Sequence, residues 1–196
     1  MARRPLNTQF QPYVVGNYYQ SPFGGTLQSA TFARPQCNVS FFMCSKKFNF
    51  DAAGLFVVTA GSGTPAVRFG VYQMDPKTWL PATLLDDFGT VSTTGLSNTF
   101  TTVTFPSTKT YLGLIGVAIQ TEGGTSNPSF TVDALNFNFQ WTGYTTPTTL
   151  GSLPFPYAYS LTSGDGVVAG SFPAVNLFSY SKLQANGSGM FLRRAT

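Results

Sequence analysis

Ala66-Val67-Arg68-Phe69-Gly70-Val71-Tyr72 is the stretch on which the fold turns. Side chains of a strand alternate, so Val67, Phe69 and Val71 share one face, with Arg68, Gly70 and Tyr72 on the other. Working outward, residues 39–43 and 55–59 form two earlier apolar runs, and Gly61-Ser62-Gly63-Thr64-Pro65 turns the chain before the quoted stretch. After a Thr/Ser-rich loop come residues 100–105 and then residues 111–120, a nearly continuous apolar run suited to the centre of a sheet. In residues 136–141, Phe137, Phe139 and Trp141 line one face and Asn136, Asn138 and Gln140 the other. Phe172-Pro173-Ala174-Val175-Asn176-Leu177-Phe178 reads as a closing strand. No ten-residue segment keeps a helical period free of Gly, Pro and β-branched residues. The expected fold is all-β: an antiparallel β-sandwich over residues 36–180, with an extended N-terminal arm at 1–35 and a second arm at 181–196. Val67, Phe69, Val71, Val103, Phe105, Phe137, Phe139 and Trp141 are expected to face the core or a subunit contact.

The 196 residues suffice for one domain with a real core. Only 9% are charged, against roughly 25% in ordinary domains, while 15% are aromatic. Polar uncharged residues or other proteins must therefore cover much of the surface. The absence of histidine excludes Ser-His-Asp, Cys-His and His-metal arrangements. The net charge of +4 resides in Arg3, Arg4, Arg193 and Arg194, and the remainder is balanced at seven basic against seven acidic residues. Such terminal pairs suit a phosphate or an acidic protein surface, but with no basic face a nucleic-acid function is not expected. Cys37 and Cys44 are too few for a disulfide framework or a four-cysteine zinc site, and are expected as free thiols on opposite faces of a strand. The start of the chain lacks the apolar run of a secretory signal, and residues 111–119 are too short an apolar run to span a bilayer, so assembly in a cytoplasm and no membrane partner are expected.

Seven acidic residues limit carboxylate chemistry. Asp86 and Asp87 are adjacent, so in a strand they face opposite ways and do not form a glycosidase pair. Asp75, Asp86, Asp87 and Asp165 could meet at one loop end around calcium, but no Asp-x-Asp-x-Asp run supports this. No catalytic residue, cofactor or metal site is expected. Trp79, in the turn-rich Met74-Asp75-Pro76-Lys77-Thr78-Trp79-Leu80-Pro81, is read with Tyr72 as a pair able to stack on a sugar ring, against the plainer reading of a loop aromatic capping the sandwich. The N-terminal arm is rich in aromatics, among them Phe10, Tyr13, Tyr18 and Tyr19, which disordered tails normally lack.

From Phe41-Phe42 onward a pattern accumulates: Leu55-Phe56-Val57-Val58-Thr59, Val67-Arg68-Phe69-Gly70-Val71-Tyr72, Leu80-Pro81-Ala82-Thr83-Leu84-Leu85, Asp87-Phe88-Gly89-Thr90-Val91 and Thr93-Thr94-Gly95. This series resembles a module of tailed-phage virion proteins, in which an Arg-Leu-Gly-Ile-Tyr-like strand precedes a Pro-Gly-Thr-Leu-like turn and an Asp-x-Gly-Thr-Val-like segment. A strand like residues 111–120 follows, and the likeness extends over roughly residues 39–180. It implies a jelly-roll-like β-sandwich in a virion structural protein and transfers no catalytic residue. The short chain has no repetitive stalk. The expected function is therefore a capsid decoration or cement protein in the virion, a homotrimer bound to major capsid protein or other virion proteins. Its contacts would be Arg3, Arg4, Phe10, Tyr13, Tyr18, Tyr19, Arg193 and Arg194. The alternative is a tail fibre, spike or baseplate module that binds host glycan through Tyr72 and Trp79.

Overall fold

The computed structural model describes residues 15–19, 26–134, 158–184 and 190–196. The fold is all-β, and every strand pairing among the described residues is antiparallel. The strands are β1 (Tyr18–Tyr19), β2 (Thr26–Thr31), β3 (Gln36–Thr59), β4 (Pro65–Met74), β5 (Pro81–Ser92), β6 (Ser97–Gly123), β7 (Ser129–Ala134), β8 (Ala158–Thr162), β9 (Leu183–Gln184) and β10 (Phe191–Arg194). Their order is β1-β10-β3-β6-β4-β5, with β7 linking β2 to β3 and β8 linking β9 to β3.

Two strands organise the rest. Residues 39–43 and 55–59 belong to one strand of 24 residues, and residues 100–105 and 111–120 to one of 27. The sequence pattern divides each in two because the ladder is irregular between Cys44 and Phe48 and again between Phe50 and Ala52. Extra residues at such bulges bend a strand and break its alternation, which lets one strand serve both layers of a curled sheet. Pro106 fits here, because it falls between Thr104, opposite Ala52, and Lys109, opposite Phe50, where the ladder needs no donor.

The curl encloses an inner core. Phe42, Phe50, Leu55 and Val57 of β3, Val67, Phe69 and Val71 of β4, and Ile115, Val117 and Ile119 of β6 are fully or almost fully buried together. Phe105 joins them and Val103 packs against them, as the alternation predicts. Phe137, Phe139 and Trp141 lie outside the described residues.

A second apolar cluster lies on the other face of residues 36–44, β4 and the C-terminal part of β6. Cys37, Val39, Phe41, Tyr72, Met74, Leu114 and Ala118 are buried there beneath Val167, Phe172 and Phe178. Having both faces covered explains why residues 111–120 are apolar nearly throughout. The covering segment is irregular, with 3-10 turns at Ser163–Asp165, Val175–Leu177 and Tyr180–Lys182. Residues 172–178 are thus not the closing strand expected from their composition. Pro173 has no N–H for a ladder, and a 3-10 turn between Phe172 and Phe178 drops both rings onto Tyr72, with centroids 6.0 and 5.5 Å away. Gly70 makes room for this: a Cβ there would lie 2.4 Å from the Phe172 ring.

Parts of the two segments read as arms add strands to the same sheet. β2 pairs with β7 along its six residues, and Phe32 is buried against Phe130 at 5.3 Å. β1 pairs with β10, and β10 pairs with β3 at residues 50–54.

Candidate functional site

Between β4 and β5 the chain makes a tight turn built around Asp75. Its Oδ1 accepts the N–H of Lys77 at 2.8 Å and of Thr78 at 3.4 Å, and its carbonyl accepts the N–H of Trp79 at 2.7 Å. An Asp followed by Pro is well matched to this, since the carboxylate mimics a backbone acceptor and Pro76 presets φ. These backbone donors, Lys77 first, hold the Asp75 carboxyl below its ordinary range. The turn leaves Trp79 at φ 59°, a left-handed conformation that costs a bulky residue on the order of 1–3 kcal/mol and persists only where the surroundings impose it. Here they do. Tyr159 Oη donates to the Trp79 carbonyl at 3.0 Å, and the indole meets the Phe41 ring edge-on at 5.5 Å.

The indole is 43% exposed, and it is not alone. On the same outer face, Met43 follows Phe41 by two residues along β3, and Leu112 precedes Leu114, the register partner of Met43, by two along β6. Met43 is 38% and Leu112 53% exposed. The face that is buried under Phe172 and Phe178 near Tyr72 therefore emerges at this end as an open apolar surface. Trp79 was legible in the sequence, but Met43 and Leu112 were not singled out. Their signal is the alternation Val39-Phe41-Met43 and Leu112-Leu114, which continues past the edge of what covers it.

Tyr72 does not join Trp79 as a sugar-stacking pair. Its ring is fully buried between Phe172 and Phe178, and its Oη donates to the Pro173 carbonyl at 2.9 Å. Alternation rightly placed it opposite Val71, but that face is closed by a segment a hundred residues away in sequence.

The described acidic side chains are tied to partners at several places, two of them sharing one arginine. Asp87 and Glu122 flank Arg68 at 2.7 and 2.6 Å, Asp86 pairs with Lys109 at 2.6 Å and accepts Tyr111 Oη at 2.8 Å, and Asp51 pairs with Arg193 at 2.8 Å. Asp165 caps its 3-10 turn by accepting the Thr162 N–H and pairs with Lys182, which, with that N–H, holds its carboxyl below the ordinary range. Among the described residues no three metal-ligating side chains converge. Cys37 and Cys44 are buried free thiols in opposite clusters. Burial pushes Cys44 up to about 12 and Cys37 higher still, so neither is a nucleophile at neutral pH.

Of the residues expected to contact partners, Arg3, Arg4, Phe10 and Tyr13 lie outside the described residues. Tyr18 packs edge-on against Phe100 at 5.0 Å, and Arg193 lies over its ring at 5.9 Å while pairing with Asp51. Arg194 lies over Phe48 at 5.7 Å, and Tyr19 is opposite Leu192. The described ends thus engage their own chain, and Arg193 is committed to an internal ion pair. No described helix is long and apolar enough to cross a membrane.

No protein-family model matches the chain, and no curated protein matches it. Among solved structures, it is similar to the cysteine protease and lectin-like domains of a surface layer associated protein of Clostridium difficile. Identity is 8% and the TM-score 0.48, over 86% of this chain and 36% of that one. The chain thus spans about a third of that structure's length.

Proposed function

We propose that this protein is a non-enzymatic structural component of a tailed-phage virion that decorates the head and bridges neighbouring subunits. One observation carries the reading. The pieces that resemble the virion module, residues 67–72, 80–91 and 111–120, are spread over fifty residues, yet they fold as three neighbouring strands in the order β6-β4-β5. A set of weak likenesses in sequence is thus one contiguous unit in space, as expected of a module kept together for its fold. The jelly-roll-like arrangement that the resemblance implies belongs to the same proposal. The low charge of the chain and its open apolar surface at Trp79 suit a protein that works against other proteins. Homotrimeric assembly is part of this reading.

Immunogold electron microscopy of density-purified particles from the source culture tests it, using antibody raised against the purified chain. Gold on particle heads is the expected result, and particles without gold overturn the assignment. A truncation lacking residues 1–14, which leaves β1 and β2 intact, should then bind shells more weakly if Arg3, Arg4, Phe10 and Tyr13 make contacts. A glycan-binding role through Trp79 is the second reading, favoured by its exposure and weakened by the burial of Tyr72. A glycan array that captures wild type but not Trp79→Ala would put that reading first.

A further inference from the structure

Resting on the virion reading, we infer that the outer-face surface formed by Trp79, Met43 and Leu112 is a docking site for an acidic, apolar-anchored segment of another virion protein. Three features specify the occupant. The surface presents three large apolar side chains, Met43 and Leu112 placed by the β3–β6 register and Trp79 by its contact with Phe41, with the buried Phe41 and Leu114 beside them, so it offers anchoring area without further ordering of the protein. Trp79 is preset in its exposed position, since the turn around Asp75, the Tyr159 hydrogen bond and the Phe41 contact together maintain a strained backbone. These contacts hold the exposed part of the indole in place before any partner arrives, and pre-organisation of this kind lowers the ordering cost of binding.

Charge decides the chemistry of the partner. Lys46 and Lys47 sit in the bulge that follows Met43 and lies across from Leu112, both exposed, and no salt bridge engages either among the described residues. The Lys46 ammonium lies over the ring of Phe48, a residue of the inner core, at 5.5 Å, so Lys47 is the bulge cation left to the outer face. Lys77 adds a second exposed cation on the Trp79 turn, partly offset by Asp75. An apolar centre with a basic rim is complementary to apolar side chains flanked by Asp and Glu, and opposes a basic partner.

The test uses the full-length protein and two fluorescein-labelled peptides with the same short apolar core, one flanked by Glu and one by Lys. Fluorescence polarisation at low salt should show the Glu-flanked peptide binding about tenfold more tightly or better, with the preference shrinking as salt rises. Leu112→Ser and Trp79→Ala should each weaken that binding about tenfold, and Lys47→Glu should remove the preference. Because Leu112 is the most exposed of the three, its replacement keeps the test decisive if Trp79→Ala misfolds. Absence of binding, equal binding of the two peptides, or binding that both variants leave unchanged overturns the proposal. So does dimerisation of the free protein or sedimentation with phosphatidylserine vesicles that Leu112→Ser abolishes, which would assign the surface to a second copy or to a membrane. Gold-labelled particles with inert peptides would sink this site and leave the virion assignment standing. Peptide binding with unlabelled particles would do the reverse.

Discussion

The two faces of β4 are both buried and yet are closed by different means. On the inner face, Val67, Phe69 and Val71 meet other strands, so hydrogen-bonded ladders fix the position of everything they touch. On the outer face, Tyr72 and Met74 meet an irregular segment held to the sheet by side chains, namely two phenylalanine rings, the Tyr72–Pro173 hydrogen bond and the Gln120 amide that donates to the Val168 and Ser171 carbonyls, and braced within itself by the Asp165–Lys182 pair. The inner core should therefore unfold only with the whole domain. The outer cover can loosen by itself, because few contacts must break to release it.

Phe69→Ala probes the first half of that contrast most severely. It leaves a cavity among fully buried side chains and should cost about 4 kcal/mol, with the whole sheet lost in one transition. A denaturant titration giving under half of that loss would mean that the inner core can collapse around the gap. Gly70→Ala acts from the same strand on the other face. Its methyl would meet the Phe172 ring and the Asp86 carbonyl, and should cost about 2 kcal/mol. Hydrogen exchange should accelerate in residues 163–182 well before β4 and β6, and uniform acceleration would erase the distinction between the faces.

Tyr72→Phe removes only the hydroxyl that reaches Pro173, for a cost of about 1 kcal/mol. Its effect should add to that of Phe69→Ala, since the two side chains lie in different clusters, and strong coupling in a double-mutant cycle would show that the faces act together. The smallest effect is electrostatic. Asp165 is held below its ordinary range by Lys182 and the Thr162 N–H, so the folded state favours its ionised form. This stabilisation is fully present above the unfolded carboxylate value of about 3.9 and is lost as pH falls through the lower folded value. The stability gap between wild type and Asp165→Asn should accordingly close under acid. A gap of constant size would show that the ion pair does not brace the cover.

These contrasts mark what could be read without coordinates. Residues 66–72 announce a half-buried strand because alternation is a local property, and Val67, Phe69 and Val71 reach the core as expected. Cys37 and Cys44 separate onto opposite faces by the same arithmetic, since seven is odd and no bulge intervenes. Where bulges do intervene, between Cys44 and Phe48 and between Phe50 and Ala52, local reading divides a single strand in two. Trp79 was visible as an aromatic in a turn. That it stays exposed while Tyr72 is covered was not visible, because both lie beside apolar residues and only the cover distinguishes them.

The sequence by itself determined the all-β class, the antiparallel alternation and the inward face of β4, since each depends on a side-chain period of two that needs no knowledge of distant residues. Only the tertiary structure decided how far the outer face is covered. That depends on where a segment a hundred residues downstream of Tyr72 returns, which its own composition does not encode. Because the return reaches Tyr72 and leaves Trp79, Met43 and Leu112 open, the same strand face is core at one end and surface at the other.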